Sequence, residues 1–393
     1  MKNISLAIIF QVIALHLLYA QQTADKYFES KDYLNASKAY EREVAYKPSS
    51  YLNLAKSYFA MQEFDKAIEA LKNYRDKYPS ADKEYANKFI ALLERNDDPT
   101  KVTNLGNVIN GPKDEYFPVI SPDGKILYFT SYDRAGGSGG EDIWYSVKKE
   151  DGTWDTPKTF EQLNTSSHED LMTISGDGNV AILFGNYVGS FGQGDLFYSV
   201  KTETGWTAPC NLGGSINTNS WEAQANLAAD GKTMLFCSNR PGGYGQEDIY
   251  VSTLTENGWS KPINLGPVIN TGQREMGPNL AADGKTLYFN STGHFGFGGS
   301  DIFMSKRLDD SWTNWSTPVN LGKYINSLAD DRFVSIPATG TKGYTVRTGE
   351  PDGFGESDIY QFTLPINMRP ETVFNVFGKV TNESDSAVGA IIH

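Results

Sequence analysis

Histidine and cysteine are scarce: the 393 residues hold four His and two Cys. So few imidazoles and thiols leave no His/Cys spacing for a metal centre and no Ser-His-Asp order for a nucleophilic triad. Cys210 and Cys237 could pair in an exported chain. The repeat described below sets them on non-neighbouring strands, however, and a disulfide needs Cα atoms close together. Two free, buried thiols are expected. Positive charge is also in deficit: Lys plus Arg number 35 against 48 Asp plus Glu, a formal net charge of -13. Such a surface repels phosphate backbones and excludes nucleic acid as a partner. Beyond the first 20 residues no apolar run is long enough to cross a bilayer, so no transmembrane span is expected.

Those first residues form a separate segment. Lys2 supplies a positive start, Leu6–Leu18 is nearly all apolar, and Tyr19-Ala20 precedes Gln21. This is the pattern of a secretory signal peptide over residues 1–20. The run is short for an anchor and lacks a basic stop.

What the chain has in quantity is glycine, 38 residues, and aromatics, 13%. Together they suit many short strands joined by tight turns. The pattern is periodic. Asp-Gly turns recur at Asp123-Gly124, Asp177-Gly178, Asp230-Gly231 and Asp283-Gly284, with a degenerate Thr339-Gly340. After each comes an apolar strand, a Gly-rich loop, and an Asp opening a further strand: Asp142, Asp195, Asp248, Asp301 and Asp358, spaced 53, 53, 53 and 57 residues apart. A fixed period of this size marks a solenoid or propeller. Each copy has four strand-like pieces, as in a propeller blade. The array begins with a fourth piece, Asn104–Val108, and ends with a third. The first strand therefore completes the last blade and closes a ring of five, removing exposed edges. Strand direction puts the Gly-rich loops and the connections between blades on one face, the top, and the Asp-Gly turns below. Both ends of the array lie below, so the helical segment and the tail are expected underneath, with the top left free to bind.

Residues 23–95 have a helical period. Tyr27, Ala36 and Tyr40 return as Tyr58, Ala67 and Leu71, and Pro48 and Pro79 close the two copies. This spacing resembles tetratricopeptide helix pairs. The fold class expected is thus mainly β with an α N-terminal part: a five-bladed β-propeller over 101–364 preceded by a short tetratricopeptide-like segment.

Candidate site residues fall into three groups. The loop acids Asp142, Asp195, Asp248, Asp301 and Asp358 are read as accepting loop N–H groups. A phosphate role is discounted, because no helix follows the loops. A second series stands eight residues before each turn: Glu115, Glu169, Glu222, Glu275 and Asp331. These would ring the upper mouth of the channel, holding a cation or cationic side chain, or else bonding the adjacent blade. The third group is unique to single blades: Asp114, His168, Asp170, Trp221, Arg274, His294, Asp330 and Arg332. Of these, Trp221, Arg274 and Arg332 are the binding candidates at the top. Acids equivalent by symmetry argue against the differentiated carboxylates a glycosidase needs. No catalytic residue, metal or cofactor is expected.

Ser121-Pro122-Asp123-Gly124-Lys125, Glu247-Asp248-Ile249-Tyr250 and Asn264-Leu265-Gly266 resemble the TolB-type, WD-like repeats of exported bacterial proteins. The order of segments resembles the OmpA-family envelope proteins of Bacteroidota, whose members are linked to type IX secretion. That resemblance implies a non-catalytic scaffold in the periplasm, associated with the outer membrane and with unidentified envelope proteins. Residues 365–393 look like the truncated start of a carboxypeptidase-regulatory-like sandwich. No OmpA-type segment follows, so peptidoglycan binding would need that domain from elsewhere. The alternative from a different class is a glycan-binding or glycan-hydrolysing propeller.

Overall fold

A computed structural model describes residues 24–373, apart from 186 and 193. The expected signal peptide and residues 374–393 of the expected sandwich lie outside the described residues. The chain is mainly β, a five-bladed propeller with a short N-terminal helical segment.

Blade 1 runs Glu115–Ile120, Ile126–Tyr132, Glu141–Val147 and Lys158–Thr159 from the channel outward. Blade 2 starts with Glu169–Ile174, blade 3 with Glu222–Leu227, blade 4 with Glu275–Leu280 and blade 5 with Asp331–Ser335. Blade 5 is completed by Thr103–Asn104, which pairs antiparallel with Ser357–Thr363 through Thr103↔Gln361 and Asn104↔Tyr360. The ring closes as the spacing of the repeats predicts. The second strands carry the alternation that fills the gaps between blades: Leu127 and Phe129 face blade 5 beside Tyr344 and Val346, while Leu235 and Cys237 face blade 4 beside Leu287 and Phe289. Burying both faces of these strands is the main source of cohesion.

Each first strand is broken by a bulge, and in four blades the residue there is left-handed: Phe117 (φ 47°), Gln224 (φ 51°), Gly277 (φ 59°) and Phe333 (φ 56°). Only one is glycine, so three side chains hold a conformation that L-residues avoid. Below the bulges, the strands and Asp-Gly turns enclose a channel cavity of about 640 Å³. Blade 2 differs: Leu171 stays paired with Leu183, Thr173 pairs with Ile182, and the bulge falls at Met172 between them.

A helical turn over 24–29 (α1) leads into α2 (Tyr33–Glu43), α3 (Tyr51–Ala60), α4 (Phe64–Lys77) and α5 (Lys83–Glu94). Asp32 and Asp82 cap α2 and α5 by accepting the Asn35 and Tyr85 N–H groups. Ala36, Tyr40, Ala55, Leu71 and Phe89 form their core. These helices do not hang below the ring. They dock on the top, over blades 4 and 5. Phe59 stacks on Phe297 at 4.6 Å between centroids, and Tyr85 meets Phe295 edge-on at 5.5 Å. Both partners belong to the Gly-rich loop of blade 4. Lys323 donates to the Leu93 and Arg95 carbonyls at the end of α5, and Lys31 to Thr348 O at the upper end of the second strand of blade 5. Residues 95–102 then reach the bottom, where Thr100 Oγ1 donates to Thr363 O. At ~3.3 Å per residue this stretch spans roughly 25 Å, enough to traverse a blade. The apolar cover for Phe295 and Phe297 decides where the helices sit. The far end of the described chain does lie below: Tyr288 donates to Met368 O, and Glu371 N to Asp283.

Candidate functional site

The five inner acids do not ring the mouth as free carboxylates. Each is at most 1% exposed and is bound by its own blade. Four residues upstream a backbone N–H donates to each: Gly111, Thr165, Thr218, Thr271 and Ser327. Hydroxyls add to this; Ser131, Ser238 and Ser291 of the second strands donate to Glu115, Glu222 and Glu275. Of the two readings of this ring, the acids are bonded to backbone N–H and hydroxyl groups, though within their own blade and its connection rather than to the adjacent blade, and the reading of free carboxylates holding a cation or ligand is corrected. An acceptor four residues from an N–H in a tight connection is satisfied locally before it can reach the channel.

The loop acids are likewise bound. Asp142 accepts from Ser138 and Gly139, Asp195 from Phe191 and Gly192, Asp248 from Tyr244 and Gly245. Asp301 accepts from Phe297 and Gly298, and Asp358 from Phe354 and Gly355. Burial under the docked helices, then the Asp331 charge, pushes the Asp301 carboxyl up to about 7. Trp221, Arg274 and Arg332 stand at separate blade boundaries and are not brought together. Trp221 packs its ring edge against Phe184, Arg274 pairs with Glu247 at 3.0 Å, and Arg332 pairs with Asp330. Cys210 and Cys237 are both free, but Cys210 is exposed rather than buried.

A further series of partners breaks the symmetry. Arg134, Arg240 and Arg347 reach the carbonyls of Ile109, Ile216 and Ile325 and pair with Glu115, Glu222 and Asp331. In blade 4 His294 Nε2 takes this place against Ile269 O at 2.8 Å. In blade 2 it is Tyr187, whose hydroxyl donates to Leu163 O. Glu169 thus has no Arg counterpart, and burial raises its carboxyl above the usual range.

Asp170 follows directly, where the other blades have Tyr116, Ala223, Met276 and Arg332. It is 4% exposed. Burial first, then the Glu141 charge, pushes its carboxyl up to about 8. Its Oδ1 has no hydrogen-bond partner; the Thr130 hydroxyl lies beside it but makes no bond of good geometry. Glu141, from blade 1, is half-buried and binds the Tyr116 hydroxyl and, at 3.2 Å, His168 Nδ1. His168 and Glu141 are bridged through their backbones, which fixes the two blades at this point. Asp142 adds another buried oxygen without a partner, because Thr159 stands where the other blades have Asn104, Asn211, Asn264 or Asn320 bonded to their loop Asp. Two carboxyls in unlike environments, one protonated at neutral pH and one oriented by a phenol and an imidazole, are the parts of an acid–base pair. No cluster of three His, Cys, Asp or Glu with metal-binding geometry occurs among the described residues.

The sequence singles out His168 and Asp170 as unique to one blade. It does not single out Glu141, Tyr116 or Tyr187. A signal existed: the positions of Arg134, Arg240 and Arg347 read Tyr in blade 2.

No family model and no curated protein matches this chain. Among solved structures it is similar to an α-L-arabinofuranosidase from Lactobacillus brevis, 13% identical, covering 70% of this chain and 93% of that one at a TM-score of 0.40. It is also similar to the catalytic domain of the GH62 α-L-arabinofuranosidase of Coprinopsis cinerea (12%, 69% and 98%, TM-score 0.44). An exo-β-1,3-galactanase from Clostridium thermocellum is 15% identical over 69% of this chain and 64% of that chain, at a TM-score of 0.41. At these values the likenesses assign no activity. The expectation of a non-catalytic scaffold is corrected on two findings in the molecule itself. The top face that was to bind partners is partly covered by helices, and the symmetry that argued against catalysis fails at blade 2.

Proposed function

We propose that the chain cleaves glycosidic bonds at the junction of blades 1 and 2, with Asp170 as general acid and Glu141 as general base. The observation carrying this reading is the buried Asp170 carboxyl, whose Oδ1 has no partner, in the field of the oriented Glu141 carboxylate. In the proposed step, Glu141 takes a proton from water as the water oxygen attacks the anomeric carbon. The bond from that carbon to the leaving oxygen breaks, and the leaving oxygen takes the Asp170 proton. Tyr116 and His168 hold Glu141; Glu169 and Asp142 supply the negative field that favours positive charge developing on the sugar ring. The leader at residues 1–20 and the envelope-family resemblance support action outside the cytoplasm, in a periplasmic or outer-membrane setting.

The test is release of reducing sugar from a panel of arabinofuranose, galactose, xylose and glucose oligosaccharides, whose poor alkoxide leaving groups need the proton. Cleavage of at least one, lost in Asp170→Asn and in Glu141→Gln, is expected. Failure to cleave any member, or full activity in Asp170→Asn, overturns the assignment.

A further inference from the structure

The fourth residue before each loop Asp occupies one structural position repeated five times, and in four blades it is aromatic: Phe191, Tyr244, Phe297 and Phe354, with Ser138 in blade 1. Its backbone is fixed by the donated N–H bonds to the loop carboxylate given above. The glycine that follows is wedged against the next blade: a Cβ on Gly192 would lie 2.5 Å from Thr218 O and 2.7 Å from Ser220 O. The turn is anchored on both sides, so the ring is presented in one place.

Blade 4 shows what this position does when covered. Phe297 is 3% exposed, stacked face to face on Phe59 with 15° between the planes and edge-on to Phe89 at 5.5 Å. In the other three blades the same position is 55% (Phe191), 54% (Tyr244) and 47% (Phe354) exposed. We infer that Phe191, Tyr244 and Phe354 are stacking platforms for the sugar rings of a polysaccharide lying across the top face. The inference rests on the glycan reading above and extends it from a bond to a polymer. A protein partner wants a contiguous apolar patch. Here there is one ring per blade, separated by glycine turns, which suits a chain that offers one apolar pyranose or furanose face per residue. Ring stacking gives contact area at little cost in side-chain freedom when the ring is already held. The net charge of -13 favours a neutral polymer over an acidic one. Phe191 lies on blade 2, which also carries Asp170, Tyr244 on the adjacent blade 3, and Phe354 on blade 5, the neighbour of blade 1.

The experiment is affinity gel electrophoresis of the full chain, carrying Asp170→Asn, through arabinan, galactan, arabinoxylan and glucomannan. Retardation by at least one polymer is expected, with Phe191→Ala plus Tyr244→Ala weakening it at least tenfold and Phe354→Ala less. Phe191→Ala plus Tyr244→Ala should keep the far-ultraviolet spectrum and melting temperature of the unsubstituted chain, because both rings are about half exposed, so lost retardation reports lost contact rather than lost folding. No retardation by any polymer, or retardation unchanged in the double variant, overturns the platforms even if oligosaccharides are cleaved. Retardation that depends on Phe191 and Tyr244 without any cleavage would instead keep the platforms and sink the acid–base assignment.

Discussion

Blades 2 and 3 sit side by side and share one backbone plan, yet they solve the same electrostatic problem differently. In blade 3, Glu222 is buried with Arg240 and followed by Ala223. In blade 2, Glu169 is buried beside Tyr187 and followed by Asp170. One blade neutralises its acid; the other adds a second acid and withholds the cation. Structural economy would make the two alike, so the difference marks where stability has been given up.

The largest expected effect comes from removing that second acid. Asp170→Asn should lower glycoside cleavage by roughly 10²–10⁴-fold, the range for losing a general acid, with the far-ultraviolet spectrum unchanged. The reciprocal change strikes stability. Arg240→Leu leaves Glu222 buried without its partner and should cost about 3–5 kcal/mol in denaturant unfolding. Tyr187→Phe removes one hydrogen bond to Leu163 O and should cost only about 1 kcal/mol. If the two losses prove equal, the contrast between the blades is not electrostatic.

A third effect depends on pH. The folded-state pKa of Asp170, about 8, stands above the ordinary carboxyl value of ~3.9. The native state therefore holds a proton that the unfolded chain has released between those values, and stability declines as pH rises through that window. Replacing Asp170 by Asn should flatten this decline by a few kcal/mol at pH 9 and change little at pH 4, read from melting temperatures across pH. Cleavage by the unsubstituted protein should fall above about pH 8, as the acid loses its proton.

The ring of five was legible because turn and strand spacing are local chemistry: Asp-Gly fixes the lower corner and the loop Asp the upper one. The placement of the helices was not. It hinges on Phe295 and Phe297, two apolar residues among the glycines of the blade 4 loop, which need cover that blade count does not reveal. For the inner acids two readings stayed open, for a related reason. Alternation says which residues share a strand face, but not that Thr165, Thr218, Thr271 and Ser327 lie four residues upstream to claim them. His168 and Asp170 could be picked out as exceptions to the repeat. Glu141 could not, because blade 3 also has Glu at that place, Glu247, there paired with Arg274.

The two-residue strand Thr103–Asn104 is made early and used late. During synthesis it must stay unpaired while four blades form behind it, and it finds Tyr360 and Gln361 only when the fifth emerges. Helices and ring are then latched together, since residues 95–102 bind α5 at one end and this strand at the other. Slipping that short strand would loosen the circle and the helical cap in a single event, so opening should be all-or-none rather than blade by blade.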